Sequence, residues 1–126
     1  MQETEPNPWV VWTTAPSEEV ASELARTLVQ EGWAGCAQVL PGIESHYVWE
    51  GELRAERECL ILLKTLPGAW SGLETRLREL HPYAVPEILA VPCVAWSAAY
   101  AAWLASQMGD PSRPSGTPAP GENPPL

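Results

Sequence analysis

The first third of the chain shows a strand pattern followed by a helix pattern. An apolar run from Trp9 to Thr14 predicts a first strand that ends before Pro16. Ser17 then provides a helix N-cap, and apolar residues spaced by three and four positions predict a helix that Gly32 ends. The chain therefore opens with a strand followed by an amphipathic helix.

Two long extended segments come next and are expected to form a hairpin. They cover residues 34–49 and 53–65, and Gly51 lies in the turn between them. Pro41 and Gly42 interrupt the first segment. They predict a bend or a bulge, because proline cannot donate a hydrogen bond to a neighbouring strand. About twelve residues per strand would span roughly 40 Å, so the distal part of the hairpin should project from the domain.

The remaining elements are a helix, a strand and a short terminal helix. An apolar stripe that begins at Trp70 predicts a second helix, which Pro82 ends. Residues 86–94 are typical of a fourth strand, and Ser97 caps an alanine-rich helix that extends to Gln107. The order β-α-β-β-α-β plus a terminal helix predicts an α+β, ferredoxin-like fold, with an antiparallel sheet and helices on one face.

The central strands are apolar on both faces. Leu60 and Leu62 point to one face of the sheet. The alternate residues Cys59, Ile61 and Leu63 point to the other face. Helices can cover one face, and a bare second face would promote aggregation of a single chain. We therefore expect an obligate homo-oligomer in which further copies cover the second face.

Composition divides the chain into a domain and two polar ends. Residues 1–8 are expected to be a polar leader, and residues 9–108 are expected to form one domain. Residues 109–126 contain six prolines and three glycines. Such a segment buries too little apolar surface to offset its ordering entropy, so we expect a disordered tail.

Charge, the absence of membrane signals and the cysteine spacing indicate the kind of partner, the location and the redox state to expect. The net charge of −9, from 16 acidic and 7 basic residues, disfavours nucleic acid as a partner. No membrane span and no secretory signal are evident, so we expect a cytoplasmic protein. The three cysteines, Cys36, Cys59 and Cys93, match neither a disulfide framework nor a metal knuckle, and are expected to be reduced thiols.

A series of short motifs points to a known family. In chain order, the motifs are Thr14-Ala15-Pro16, Cys36, Pro41-Gly42, Ser45, Tyr47, Trp49-Glu50-Gly51, Leu63-Lys64-Thr65, His81-Pro82-Tyr83 and Val85-Pro86-Glu87. In this order and spacing, residues 10–106 resemble the CutA family of divalent-cation tolerance proteins. The resemblance implies a homotrimer in which the sheets face a three-fold axis and clefts lie between subunits, an architecture similar to that of the PII signalling trimers. It also implies a role in tolerance to copper and other divalent ions, and animal relatives are linked to the anchoring of acetylcholinesterase.

His81 is the main candidate for a metal ligand. A neutral imidazole binds Cu(II) or Zn(II) well, and the resemblance implies that this histidine lines the cleft between subunits. The alternative is a structural histidine at a helix C-terminus, hydrogen bonded to a carbonyl or to Tyr83. Some relatives offer a cysteine and a further histidine where this chain has Thr13 and Leu80. One imidazole makes a poor copper site, so we expect weak Cu(II) binding.

Further residues are candidates for metal ligands or for the lining of the cleft. Cys36 and Glu87 are candidates to complete the metal site across a subunit boundary. Lys64, the only lysine, is expected either to form an ion pair with Glu50 or Glu87 of a neighbouring subunit or to contact an anion. The aromatic residues Tyr47, Trp49 and Tyr83 are candidate cleft residues, and they are expected to form interface packing rather than stacking platforms for a base.

No catalytic motif is present in the sequence. It contains no Walker loop, no GxGxxG, no GxSxG and no HExxH, which favours a non-enzymatic function. Three functions fit these observations. The first is a trimeric protein of divalent-metal response, the second a PII-like sensor of a small anionic ligand or nucleotide, and the third a trimeric scaffold for protein partners.

Overall fold

A four-stranded antiparallel sheet with the strand order β2-β3-β1-β4 organises the chain. The computed structural model describes residues 6–108. In chain order the elements are β1 (Trp9–Ala15), α1 (Glu18–Gln30), β2 (Cys36–Trp49), β3 (Glu52–Thr65), α2 (Trp70–Leu80), β4 (Leu89–Pro92) and α3 (Ala98–Gln107). This order confirms the predicted α+β plan. The predicted tail and the first five residues of the predicted leader lie outside the described residues.

Local signals determine where α1 begins and ends. The Ser17 hydroxyl accepts a hydrogen bond from the Val20 N–H at 3.2 Å, which satisfies a backbone donor that the helix leaves unpaired. Gly32 has a φ of +83° and follows the helix end. Leu24 and Leu28 are buried against the sheet, so one stripe of the helix forms part of the core.

The β2–β3 hairpin has the predicted turn and bulge. Glu50 and Gly51 both have positive φ values, 52° and 79°, as a tight two-residue hairpin turn requires. The register shifts between Leu40 and Ile43, at the position of Pro41-Gly42. Beyond this bulge, β3 pairs with β2 but no longer with β1, so the distal hairpin extends past the rest of the sheet.

The fourth strand is shorter than the predicted residues 86–94. Only Leu89–Pro92 pairs with β1, opposite Trp9–Trp12. Pro86 has no N–H group to donate to a neighbouring strand, which fits its position outside the ladder. Residues 83–88 therefore form a loop that lies beside the hairpin.

The two faces of the sheet have different surroundings, although both are apolar. Val11, Ile61 and Leu63 are fully buried beneath α1 and α2. The other face, here called the open face, carries Val10, Trp12, Leu40, Leu60, Leu62, Leu89 and Val91. Trp12 is 42% exposed and Leu40 is 55% exposed. The predicted two-sided apolar character is therefore present, and in one chain the open face is in contact with solvent.

The helices α1 and α2 share one face of the sheet as predicted, and the terminal helix α3 lies on the other face. Its Tyr100 contacts Cys36, whose side chain alternates away from the face that α1 and α2 cover. Leu104 packs so closely on Gly35 that a Cβ atom at Gly35 would collide with it. Thus α3 covers one end of the second face and leaves most of the open face bare. No helix within residues 6–108 is long and apolar enough to cross a membrane.

Candidate functional site

A groove lies between the distal hairpin and the loop that follows α2. Its volume is about 610 Å³, and it is open to solvent. Three aromatic residues and three glutamates line it, and here they are called the groove residues: Tyr47, Trp49, Tyr83, Glu56, Glu58 and Glu87. The sequence separates these residues by up to 40 positions, so only the pairing of β2 with β3 and the course of the loop bring them together.

Glu58 organises one side of the groove. One carboxylate oxygen accepts a hydrogen bond from the Ser45 hydroxyl at 2.7 Å, and the other accepts one from the Tyr83 hydroxyl at 2.6 Å. Burial and this hydrogen bond to Glu58 raise the pKa of Tyr83 well above its usual range. Tyr83 is therefore a neutral donor that ties the loop to the hairpin.

The electrostatic character of the groove is negative. Burial and the neighbouring Glu56 carboxylate raise the pKa of Tyr47 above its ordinary value. Arg54 is the only basic residue among those that line the groove, and its guanidinium is 3.9 Å from Glu52. Carboxylates thus outnumber cations here, so the groove of one chain favours a positively charged occupant over an anion.

His81 lies behind the groove, at the C-terminal end of α2, and its side chain is buried. The Tyr83 backbone N–H donates to Nδ1 at 3.1 Å, so Nδ1 uses its lone pair and the ring proton lies on Nε2. Nε2 then donates to the Thr14 carbonyl oxygen at 2.7 Å. The hydrogen bonds of His81 are therefore those of a structural histidine, and neither ring nitrogen has a free lone pair for a metal ion.

Cys36 and Lys64 lie far from the groove in the same chain. They face each other across β2 and β3, six strand residues from Glu58, which corresponds to roughly 20 Å. Lys64 donates to the side-chain oxygen of Gln38. Burial and the neighbouring Cys36 thiol raise the pKa of Tyr100 to about 12. The structure thus brings Tyr47, Trp49, Tyr83 and Glu87 together but places Cys36 and Lys64 elsewhere.

The proposed metal ligands do not form a site within one subunit. Among residues 6–108, no three His, Cys, Asp or Glu side chains are arranged to hold a metal ion. Thr13 is fully buried on the helix-covered face. Leu80 packs against the core. A site from His81, Cys36 and Glu87 across a subunit boundary stays a prediction.

The sequence interpretation missed Glu56 and Glu58 as site residues. Their alternation along β3 was the available signal, because Ser45 and Tyr47 alternate in the same way on the strand expected to pair with it. No pattern in the sequence indicated the contact of Glu58 with Tyr83, because this contact depends on how the loop after α2 folds.

The match to a family model covers nearly the whole described chain. Residues 9–107 match the family described as CutA1 divalent ion tolerance protein. The divalent-cation tolerance protein CutA of Thermus thermophilus is 44% identical over 100 residues, which are 79% of this chain and 97% of that protein. The chloroplastic protein CutA of Arabidopsis thaliana is 39% identical over 75% of this chain, which spans about half (52%) of that protein.

Solved structures agree with this match. The divalent cation tolerance protein of Thermus thermophilus has a TM-score of 0.78 at 43% identity, covering 81% of this chain and 99% of that chain. CutA1 from Oryza sativa has a TM-score of 0.81 at 33% identity, covering 85% of this chain and 98% of that chain. These likenesses confirm the fold over most of the chain.

The names of the relatives bear on function and location. They describe tolerance to divalent cations rather than a catalysed reaction. One relative is named as chloroplastic, and a structure from Archaeoglobus fulgidus is named as periplasmic. These names do not support the cytoplasmic location expected from the sequence, which stays a prediction. The family match, the sequence identity and the shared fold agree, and this chain belongs to the CutA1 family of divalent ion tolerance proteins.

Proposed function

We propose that this protein acts in tolerance to divalent cations as a non-enzymatic homotrimer whose subunits meet through the open face. The observation that carries the proposal is the exposure of large apolar side chains on that face, among them Trp12, Leu40 and Leu89. A contiguous apolar surface of this kind marks an interaction site, because its burial contributes about 25 cal/mol per Å². The resemblance to the CutA family supports three copies.

We also propose that copper binding by this protein is weak. A Cu(II) ion at His81 has to replace one of the two hydrogen bonds that the ring makes to Thr14 and Tyr83. Breaking a buried hydrogen bond of this kind opposes binding by about 1–3 kcal/mol. Cys36 can join such a site only from a different subunit, because its own chain places it far from the groove, whereas Glu87 lines the groove together with Tyr83.

Sedimentation of the purified protein tests the assembly. At micromolar concentration we expect a particle with three times the 13.7 kDa mass of the chain. The subunits should stay associated on dilution, since the bare apolar surface opposes a free monomer. A folded single chain under these conditions would overturn the proposed function.

Titration calorimetry with Cu(II) tests the metal site. We expect His81→Ala to weaken binding, because it removes the nitrogen ligand of the proposed site. His46→Ala is the matched control, since His46 is exposed and contacts only Glu44, at 3.0 Å. Thermal unfolding of both variants checks that they are folded. An affinity that is equal in wild type and His81→Ala would remove His81 from the metal site.

A sensor of a small anionic ligand and a scaffold for partner proteins are the competing functions. The acidic lining of the groove does not favour an anion in one subunit, since carboxylates repel it. A thermal-shift series with Cu(II), other divalent ions and nucleotides separates the three functions, because a bound ligand raises the unfolding temperature. A shift with nucleotides alone would favour the sensor, and no shift with any compound would favour the scaffold.

A further inference from the structure

The groove carries negative charge that its own subunit does not neutralise. Glu58 is half buried, and both its oxygens accept hydrogen bonds from neutral hydroxyl groups rather than from a cation. Within residues 6–108, Glu56, Glu58 and Glu87 have no basic side chain within ion-pair distance. A half-buried carboxylate without a cation is electrostatically costly, so the groove favours a positively charged group.

Lys64 carries a positive charge that its own subunit does not neutralise. Its ammonium contacts the neutral side chain of Gln38 and forms no ion pair within the described part of the chain. Its side chain is half buried on the open face, between Val10 on one neighbouring strand and Cys36 on the other. Lys64 is thus a cation on an apolar surface without an anionic partner.

Geometry prevents these two groups from pairing within one chain. Lys64 and Glu58 lie on the same face of β3, but six strand residues separate them, which is roughly 20 Å. A lysine side chain cannot bridge that distance. In a closed ring of identical subunits, however, one end of the open face can meet the opposite end on the next copy.

We propose that the partner subunit's Lys64 enters the groove and pairs with the carboxylates of Glu58 and Glu87, so that the site is complete only between two subunits. This inference rests on the proposed homotrimer. An ammonium group fits the groove better than a bare metal ion does, because no three potential ligands within residues 6–108 of one chain are arranged around a metal position. The aromatic rings of Tyr47 and Trp49 fit the same occupant, since they attract cations.

Zero-length cross-linking with a carbodiimide tests the pairing directly. The reagent joins a carboxylate to an amine that touches it, and Lys64 is the only lysine in the chain. We expect covalent dimers and trimers on a denaturing gel, and mass spectrometry should find Lys64 linked to Glu58 or Glu87. The double variant Glu58→Gln/Glu87→Gln should lose this linked peptide, because amides do not react.

Lys64→Arg is the matched control. It keeps the positive charge, so the trimer should persist in sedimentation, but a guanidinium does not couple to carbodiimide-activated carboxylates, and the covalent bands that depend on position 64 should disappear. A link from Lys64 to a carboxylate outside the groove, or no link from Lys64 to Glu58 or Glu87, would overturn the inference even with an intact trimer. A monomer in sedimentation would instead overturn the proposed assembly, so the two failures are distinguishable.

Discussion

At the scale of single residues, Thr13 is unusual because it is a polar side chain in the core with no partner. It is fully buried opposite Ile61, and its hydroxyl has no hydrogen-bond partner among residues 6–108. A buried hydroxyl without a hydrogen bond costs about 1–3 kcal/mol. Thr65 is equally buried, but its hydroxyl donates to the Trp33 carbonyl oxygen at 2.8 Å. The two threonines therefore form a natural pair for comparison.

We expect Thr13→Val to raise the free energy of unfolding by about 1 kcal/mol, since valine has the same shape and no group to desolvate. Thr65→Val should lower the same quantity by about 1–2 kcal/mol, because it leaves the Trp33 carbonyl unpaired. Urea unfolding at a fixed protein concentration measures both effects. If Thr13→Val lowered the free energy of unfolding as Thr65→Val is expected to, the hydroxyl of Thr13 would have a partner.

At the scale of elements, one ion pair joins the end of α1 to α2. The Arg76 guanidinium donates to both oxygens of Glu31, at 2.8 and 2.9 Å. The Trp33 indole N–H donates to the same carboxylate at 3.1 Å. The hydrogen bonds to Arg76 lower the pKa of Glu31 below its ordinary value of 4.5, and burial opposes this effect only in part.

This lowered pKa predicts a pH dependence of stability. The carboxylate binds protons more weakly in the folded chain than in the unfolded chain, so its contribution is complete above the unfolded pKa. It is lost as the pH falls below the ordinary value of 4.5 and through the lower, folded pKa. We expect Glu31→Gln to be less stable at neutral pH and to show a flatter decline on acidification.

Urea midpoints measured across this pH range check the expectation. Glu79→Gln serves as the control, since Glu79 is exposed and its contact with Arg76 is longer, at 3.3 Å. Such surface pairs contribute little to stability. Equal pH profiles for the two variants would mean that the Glu31 pair does not hold α1 and α2 together.

At the scale of the whole molecule, the open face is expected to decide the assembly state. Trp12 lies near its centre, paired with Leu62 on β3 and Leu89 on β4. We expect Trp12→Glu to reduce the sedimenting mass toward that of one chain, because a charge in an apolar interface is costly to desolvate. Val94→Glu is the control, since Val94 is 99% exposed and lies outside the sheet.

The two variants also distinguish a loss of assembly from a loss of the fold. Circular dichroism should show helix and strand content in both, since Trp12 faces away from the core under α1 and α2. A trimer that persists in Trp12→Glu would place the subunit interface elsewhere on the molecule. Loss of the trimer in both variants would show that an added charge dissociates the subunits wherever it is placed.

The sequence by itself determined the elements and the two-sided sheet. Periodicity, the Ser17 cap, the Glu50-Gly51 turn and the Pro41-Gly42 bulge were all predicted and all occur. These signals act over a few residues, so backbone preference and the alternation of side chains are enough to determine them. The apolar character of both faces follows from the same alternation.

Tertiary structure alone decided the end of β4, the groove and the state of His81. β4 stops where pairing with β1 stops, and the contact of Glu58 with Tyr83 joins residues 25 positions apart. His81 satisfies both ring nitrogens through the backbone of Tyr83 and of the distant Thr14. Such contacts depend on how a loop folds onto a distant strand, and no local preference for strand or helix specifies that packing.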